Sequence, residues 1–247
     1  MILLALFGLP LIALAAYTLS GTGGTGALFS KPILDAMSLS LGTTAISAAI
    51  IVALGTPLAY WLGRYRFRLK AAISILVELP IVMPPVVAGL ALLMAFGRSG
   101  LLGPTLGLAG ISLPFTMLAV ILAQTFVSAP LFIRAARVGF AEVEPRLEEA
   151  ARVEGANEWQ VFLHVMIPLS GRSLLTGMIL AWARALGEFG ATILFAGNLE
   201  GVTQTMPLAI YLGLERGLGT ALALSVFLVI VSVALLGIIR RLEKKGH

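Results

Sequence analysis

Long apolar stretches with few charged side chains constrain the fold of this chain more than any other feature. Each has an apolar core of roughly 20 residues, the length at which an α-helix crosses ~30 Å of hydrocarbon. The apolar residues do not alternate with polar ones as they do in the strands of a lipid-facing barrel. The sequence therefore predicts an all-α integral membrane protein with six transmembrane helices, within residues 1–30, 36–63, 71–97, 99–133, 173–199 and 217–239.

The overall composition excludes the common soluble classes of protein. Hydrophobic residues make up 59% of the 247 residues and charged residues 12%, whereas soluble domains have ~45–50% and ~25%. An intrinsically disordered chain is excluded too, because disorder needs low hydrophobicity and high charge. Because there is no cysteine, the chain has no disulfide framework, no cysteine-based zinc site and no thiol nucleophile.

The basic residues are distributed unevenly between the two ends of the predicted helices. If six helices alternate in direction, thirteen of the 17 Lys and Arg residues fall on one side, in residues 63–70, 134–172 and 240–245. The positive-inside rule makes that side cytoplasmic, and both termini with it. No Lys or Arg precedes Lys31, so the first run lacks the positive segment of a secretory signal and we expect it to be retained. The net charge of +5 thus reflects membrane orientation and does not predict nucleic-acid binding.

One long hydrophilic segment, residues 134–170, lies on the predicted cytoplasmic side. It is predicted to contain a short helix that begins at Pro145, since proline suits the first helical turn, and ends at Gly155, since glycine often follows a helix C-terminus. Asn157 is expected to cap a second short helix. The first helix has small side chains on one face, which let another backbone approach closely, and its Glu residues argue against a helix that lies on lipid. We therefore interpret residues 145–156 as a docking helix for a cytoplasmic partner.

The same segment resembles the signature of the membrane subunits of ATP-binding-cassette (ABC) importers. That signature reads E-A-A, three residues, G, nine residues, then I-x-L-P. Here the E-A-A of residues 149–151 is followed after three residues by Gly155, and nine further residues lead to V-M-I-P at residues 165–168. Val and Ile at the positions of the usual Ile and Leu are a mild departure from it.

Other stretches extend the resemblance over nearly the whole chain. They are similar to the molybdate and tungstate branch of these permeases, and sulfate or thiosulfate permeases remain an alternative because they are close relatives. The stretches are residues 55–61 (GTPLAYW), 79–94 (LPIVMPPVVAGLALLM), 183–193 (ARALGEFGATI) and 203–212 (TQTMPLAIYL).

The resemblance implies both an architecture and a set of partners. It implies one permease domain over residues 1–247 with the type I ABC importer fold, embedded in the cell inner membrane. The implied assembly is a homodimer with two cytoplasmic ABC ATPase subunits and an extracytoplasmic oxyanion-binding protein, and the oxyanion passes along the dimer interface. ATP and Mg²⁺ bind to the partner ATPase, so we expect no catalytic site, no metal and no cofactor in this chain.

In such an importer, residues 145–156 form the coupling helix of the cytoplasmic loop 134–170. The side chains then predicted to dock on the ATPase are Arg146, Leu147, Glu148, Glu149, Ala150, Ala151, Arg152, Gly155 and Ala156.

Three charged residues, Glu78, Arg184 and Glu188, lie inside the predicted spans. A charge near the bilayer centre costs ~2.5–3.5 kcal/mol on insertion scales, so such residues usually face protein or water. Arg184 and Glu188 are four residues apart on one helix face and can pair. Two interpretations remain open. The preferred one is an internal ion pair that stabilises the core, because a tight anion site would slow release; the other is a charge that lines the passage and meets the oxyanion.

Proline residues interrupt the third predicted span. Pro84 and Pro85, together with Pro80, remove backbone donors and loosen the helix locally. Membrane helices tolerate such a break where the freed carbonyl groups face protein or a water-filled cavity. The segment is therefore either part of a gate or a static kink.

Two other classes of protein fit parts of the sequence. G-R-S-G at residues 97–100 matches the motif of intramembrane serine proteases, but their nucleophile needs a histidine within the membrane, and both His164 and His247 are predicted to be cytoplasmic. A channel or secondary transporter is the stronger rival. Ion-coupled carriers usually show paired broken helices in two halves, whereas this chain has one proline-broken span.

Overall fold

The computed structural model describes residues 2–19, 31–216 and 218–244, and every regular element in these ranges is a helix. The predicted all-α fold is therefore confirmed. The helices are α1 (Ile2–Leu19), α2 (Lys31–Arg64), α3 (Lys70–Val82), α4 (Pro85–Phe96), α5 (Gly103–Leu108), α6 (Met117–Glu142), α7 (Pro145–Val153), α8 (Glu158–Val161), a π-helical turn (Phe162–Met166), α9 (Ile167–Leu169), α10 (Gly171–Leu186), α11 (Gly190–Phe195), α12 (Met206–Arg216) and α13 (Leu218–Lys244).

The structure does not confirm the predicted number of six spans. Within the described ranges, three helices are long and apolar enough to cross a membrane, namely α2, α6 and the Ala221–Arg241 part of α13. Two bent helix pairs raise the number to five if each pair is one span. The two remaining apolar helices in these ranges, Ala5–Thr18 and Met206–Glu215, are shorter than 18 residues.

The third predicted span is two helices and not one. The chain bends by 120° between α3 and α4. Met83 and Pro84 have extended backbones, with ψ of 134° and 135°, because a proline disfavours the helical conformation of the residue before it. Pro85 then suits the first turn of α4, where its missing N–H needs no partner.

The fifth predicted span is also divided. α10 ends before Gly187, so residues 190–195 form the separate helix α11. A further bend, of 73° between Glu158–Leu169 and α10, lies just before the predicted span. The two breaks that interrupt predicted spans, after α3 and after α10, turn out to be close in space, because α11 packs against α4.

The core of the bundle is built around α6, which contacts α2, α3, α4, α10 and α11. Phe132 and Phe140 on α6 are fully buried. Gly55 on α2 allows the close approach, because a Cβ atom there would lie 2.9 Å from the ring of Phe132. Such close packing makes the three helices α2, α6 and α10 a rigid unit.

Buried polar side chains between α2, α6 and α10 satisfy one another. Gln124 on α6 donates to the Thr43 hydroxyl at 3.2 Å and accepts from the Ser47 hydroxyl at 3.1 Å. The indole of Trp182 on α10 donates to Thr44 at 3.0 Å. Interhelical hydrogen bonds of this kind hold helices in register where no water competes.

Candidate functional site

The predicted docking helix is present as α7, and local sequence explains both of its ends. Pro145 occupies the first turn and Glu148 lies in that turn, where a carboxylate favours the helix dipole. At the other end Gly155 has a φ of +94°. Its N–H donates to the carbonyl of Arg152, and the N–H of Ala156 donates to the carbonyl of Ala151, both at 3.0 Å. This pair of hydrogen bonds is a Schellman motif, which requires the left-handed residue that glycine supplies.

Ion pairs fix α7 to its neighbours. Glu148 pairs with Arg64 at the end of α2 and with Arg152 at 3.2 Å. Arg152 also pairs with Glu158 on α8, at 2.8 Å. The hydrogen bond from Arg152 lowers the pKa of the Glu158 carboxyl, and the same contact raises the pKa of the Arg152 guanidinium. Ion pairs thus hold α7 in its first turn, at Glu148, and in its last turn, at Arg152.

The sequence-predicted docking residues divide into an outward and an inward group. Glu148 is 4% exposed and turns towards Arg64. Ala151 and Ala156 are half-buried and pack on the core beneath α7. The others are exposed to solvent, together with Val153, which is 88% exposed. These exposed residues are Arg146, Leu147, Glu149, Ala150, Arg152 and Gly155.

The segment after α7 returns the chain to the bundle. Asn157 accepts from the Gln160 N–H at 2.9 Å, and Gln160 accepts from the Asn157 N–H at 2.8 Å. This reciprocal capping box begins α8, so the predicted cap by Asn157 is confirmed. His164 lies in the π-helical turn with its ring 3.1 Å from the Gln160 carbonyl, and it is exposed.

The predicted pairing of Arg184 with Glu188 is present at the break between α10 and α11. Arg184 Nη1 lies 2.7 Å from one carboxylate oxygen of Glu188. The other oxygen accepts from the Ala191 N–H at 2.7 Å, near the start of α11. Glu188 is 1% exposed, whereas the Arg184 side chain is 33% exposed. The carboxylate therefore both neutralises the arginine and caps the following helix.

The structure brings this ion pair close to the proline corner of the third predicted span. Gly190, two residues after Glu188, lies against Pro85, because a Cβ atom on Gly190 would be 2.6 Å from the Pro85 Cβ. Glu78 is elsewhere: it pairs with Arg137 on α6 at 3.0 Å. The predicted set of intramembrane polar and proline residues thus forms one cluster at Pro84, Pro85, Arg184 and Glu188, without Glu78.

Sequence reasoning did not identify three residues that the structure makes prominent. Arg64 and Arg137 pair with carboxylates that are far away in the chain. The one feature of the sequence that points to them is the excess of basic residues near helix ends. Phe115 has a φ of 64°, which is unusual for a residue with a side chain. Gly197 leaves room for its ring, since a Cβ atom there would lie 2.8 Å from Phe115 Cδ1.

The chain is similar to curated membrane transport proteins. The molybdenum transport system permease protein ModB of Mycobacterium tuberculosis is 46% identical over 197 residues, which cover 80% of this chain and 75% of that protein. The protein of the same name from Escherichia coli is 35% identical over 213 residues, which cover 86% of this chain and 93% of that protein.

A solved structure shares the fold. The bacterial alginate ABC transporter, in complex with its alginate pentasaccharide-bound periplasmic protein, has a chain that matches 99% of this one and 91% of its own length. The TM-score is 0.79 at 17% sequence identity, so this likeness concerns the fold, which is that of type I ABC importer permeases.

A family assignment combines these findings with the helical architecture. Residues 55–245 match the family described as binding-protein-dependent transport system inner membrane component. Members of this family are permease subunits that work with a separate ATPase and a binding protein, and the ATPase hydrolyses the ATP. The chain belongs to the family of binding-protein-dependent transport system inner membrane components, and it is a multi-pass permease subunit of an ABC importer and not an enzyme.

Proposed function

We propose that this permease imports a tetrahedral oxyanion, molybdate or tungstate. The observation that carries the proposal is the 46% and 35% identity to relatives named molybdenum transport system permease, over 80% and 86% of this chain. Sulfate has the same shape and charge and is therefore the competing substrate that an experiment must separate.

The permease works as a homodimer with two cytoplasmic ABC ATPase subunits and an extracytoplasmic oxyanion-binding protein. Large apolar side chains that are exposed in the single chain support this assembly. Phe7 on α1 is 68% exposed and Leu76 on α3 is 68% exposed. Lipid and a second copy of the chain cover these surfaces, because large apolar surfaces exposed on a single chain mark contacts with membrane or protein.

The ATPase docks on the outward face of α7. Leu147 and Val153 present 45% and 88% of their surface, and the small Ala150 between them lets a partner backbone come close. Arg146 and Glu149 are exposed on the same helix, and their opposite charges favour one orientation of the bound ATPase. Since α7 lies at the end of the bundle that holds the basic segments 63–70 and 134–172, that end is cytoplasmic, as are both termini.

The ion pair of Arg184 and Glu188 keeps the passage from binding its cargo tightly. A lone arginine in the membrane attracts a divalent oxyanion strongly, and tight binding slows release. With Glu188 2.7 Å away, the arginine is already neutralised. The pair stabilises the break between α10 and α11. Pro84 and Pro85 form the break between α3 and α4, which lies next to it. The passage opens and closes where these two breaks meet.

The experiment that tests the substrate is isotope competition in proteoliposomes that contain the full complex with its binding protein. We expect unlabelled tungstate to suppress uptake of labelled molybdate at equal concentration, and sulfate to suppress it only in large excess. The same competition is measured on the isolated binding protein, which separates its selectivity from that of the permease. ATP-dependent uptake of labelled sulfate that molybdate does not suppress would show that the substrate assignment is wrong.

A further inference from the structure

A buried ionic contact joins the docking helix α7 to the end of α2. The side chains of Arg64 and Glu148 pair, and only 15% and 6% of their surfaces are exposed. Arg64 also donates from Nη1 to the carbonyl of Val143, at 3.1 Å. One arginine from outside residues 134–170 thus holds both Val143, the residue that follows α6, and the first turn of α7.

The contact continues as a row of alternating charges. Glu148 accepts a hydrogen bond from Arg152 at 3.2 Å, and Arg152 donates to Glu158 at 2.8 Å. Four side chains therefore link α2, α7 and α8 in series. Without Arg64, Glu148 keeps only Arg152 as its partner, and this loss is costly because Glu148 is buried.

Apolar packing beneath the row makes the same connection. Tyr60, on the last turns of α2, contacts Phe140 and Phe162 with ring centroids 5.5 Å and 4.9 Å away. Gly63 lies against α6, since a Cβ atom there would be 3.1 Å from the Arg137 carbonyl oxygen. The end of α2 is therefore fixed to α6 and to the segment after α7 at the same time.

Two covalent routes lead from α7 into the membrane. Val143 and Glu144, which have extended backbones, join the start of α7 to α6. The route from the end of α7 is less direct. It runs through α8, the π-helical turn Phe162–Met166 and the 73° bend that precedes α10. A π-helical turn and a sharp bend interrupt the helical hydrogen-bond ladder, so a displacement of α7 is easily absorbed there. The ionic route to α2 has no such interruption.

We propose that α7 and the cytoplasmic end of α2 move as one rigid unit during transport, with Arg64 as the positioning residue that transmits the movement of the ATPase into the bundle. The inference rests on the proposed docking of the ATPase on α7. Arg64 contacts neither ATP nor the oxyanion in this arrangement and acts through Glu148.

The first test compares Arg64→Gln with Arg68→Gln, a matched control at an exposed arginine four residues after the end of α2. The full complex is reconstituted in proteoliposomes, and three quantities are measured: ATPase bound to the permease, ATP hydrolysis stimulated by the loaded binding protein, and oxyanion taken up per ATP. We expect Arg64→Gln to retain the ATPase and to lower uptake per ATP at least about tenfold, because buried Glu148 loses one of its two partners and α7 loses its ionic contact with α2. Arg68→Gln should match the unchanged complex, and an equal loss in both variants would overturn the proposal.

The second test replaces the ion pair by a covalent link and remains informative if Arg64→Gln fails to assemble. Because the chain has no cysteine, Arg64→Cys with Glu148→Cys can be joined by a short, reducible dithiol-specific cross-linker in one folded preparation. We expect uptake per ATP to rise at least about tenfold on cross-linking and to fall again on reduction. If the cross-link abolishes uptake, α7 must move relative to α2. If uptake per ATP is unchanged, the contact between Arg64 and Glu148 does not transmit the movement of the ATPase.

These outcomes are distinguishable from failure of the proposed function. If the unchanged permease does not bind the ATPase, docking on α7 is wrong. If it binds the ATPase and Arg64 proves irrelevant to uptake per ATP, docking stands and the rigid link is wrong.

Discussion

Gly89 of α4 lies directly against the backbone of Ala191 in α11: a Cβ atom on Gly89 would be 2.8 Å from the Ala191 carbonyl oxygen and 2.9 Å from its Cα. Backbone atoms cannot rotate away as a flexible side chain can. The absence of a side chain at Gly89 therefore sets the distance between the two helices, and with it the position of the Pro84–Pro85 corner beside the ion pair of Arg184 and Glu188.

Replacing Gly89 by alanine tests this close contact. We expect Gly89→Ala to destabilise the protein by about 1–3 kcal/mol, as overpacking does elsewhere, and to lower Tm in detergent. Gly107→Ala is the matched control, because a Cβ atom at Gly107 meets nothing within 4 Å. Equal melting temperatures for the two variants would contradict the contact.

The buried ion pair predicts a large effect of neutralising one partner. Arg184→Gln leaves the buried Glu188 carboxylate without its counter-charge, which costs ~3–5 kcal/mol for a buried pair. Glu188→Gln leaves Arg184 unpaired and should cost less, because the arginine is 33% exposed. We expect both Glu188→Gln and Arg184→Gln to reduce the yield of assembled complex and its Tm. Arg184→Gln protein that assembles and melts normally but does not transport would instead favour the interpretation in which the arginine meets the oxyanion.

The end of α7 predicts that coupling depends on a single glycine. A side chain at Gly155 is strained at a φ of +94°, so Gly155→Asp should distort the Schellman motif and the docking face. Glu149→Lys should reverse an exposed charge on that face. We expect both variants to lower uptake per ATP in proteoliposomes, with Gly171→Ala as a control at an uncrowded glycine. Normal stimulated ATP hydrolysis and transport in both would count against α7 as the transmitting element.

The contact between α7 and α8 predicts a dependence on pH. The hydrogen bond from Arg152 lowers the pKa of Glu158, so its stabilising effect is fully present above the unfolded value of ~4.3 and is lost as the pH falls through the folded pKa. We expect hydrogen-exchange protection of residues 157–161, corrected for intrinsic exchange rates, to fall over that acidic range. Glu158→Gln should have low protection throughout. An identical pH profile in the two proteins would show that the pair of Arg152 and Glu158 does not stabilise the contact between α7 and α8.

Local features of the site were predictable from sequence, and distant contacts were not. The start of α7 at Pro145, its end near Gly155 and the cap at Asn157 depend on residues within a few positions of one another. The pairing of Arg184 with Glu188 follows from their four-residue spacing, although α10 ends at Leu186. By contrast, Arg64 and Glu148 are separated by four helices, α3 to α6, and nothing in the sequence around either residue indicates the other.

The sequence also predicted only in part where the membrane-spanning helices break and turn. Prolines at 84 and 85 predict an interruption, but the 120° bend depends on how α4 packs against α11. Hydropathy counts apolar residues and does not detect where a helix turns back. The count of six was therefore reached from runs that the structure divides into shorter helices, such as residues 173–199.

The central claim is that this bundle imports an oxyanion with work supplied by an ATPase docked at α7. The most direct measurement is uptake of labelled molybdate by proteoliposomes that contain the loaded binding protein and either the permease alone or the permease with its ATPase. We predict uptake only with the ATPase and ATP, and uptake that persists when ion gradients are collapsed. Uptake by the permease alone, or uptake abolished by collapsing the gradients while ATP is present, would contradict the account.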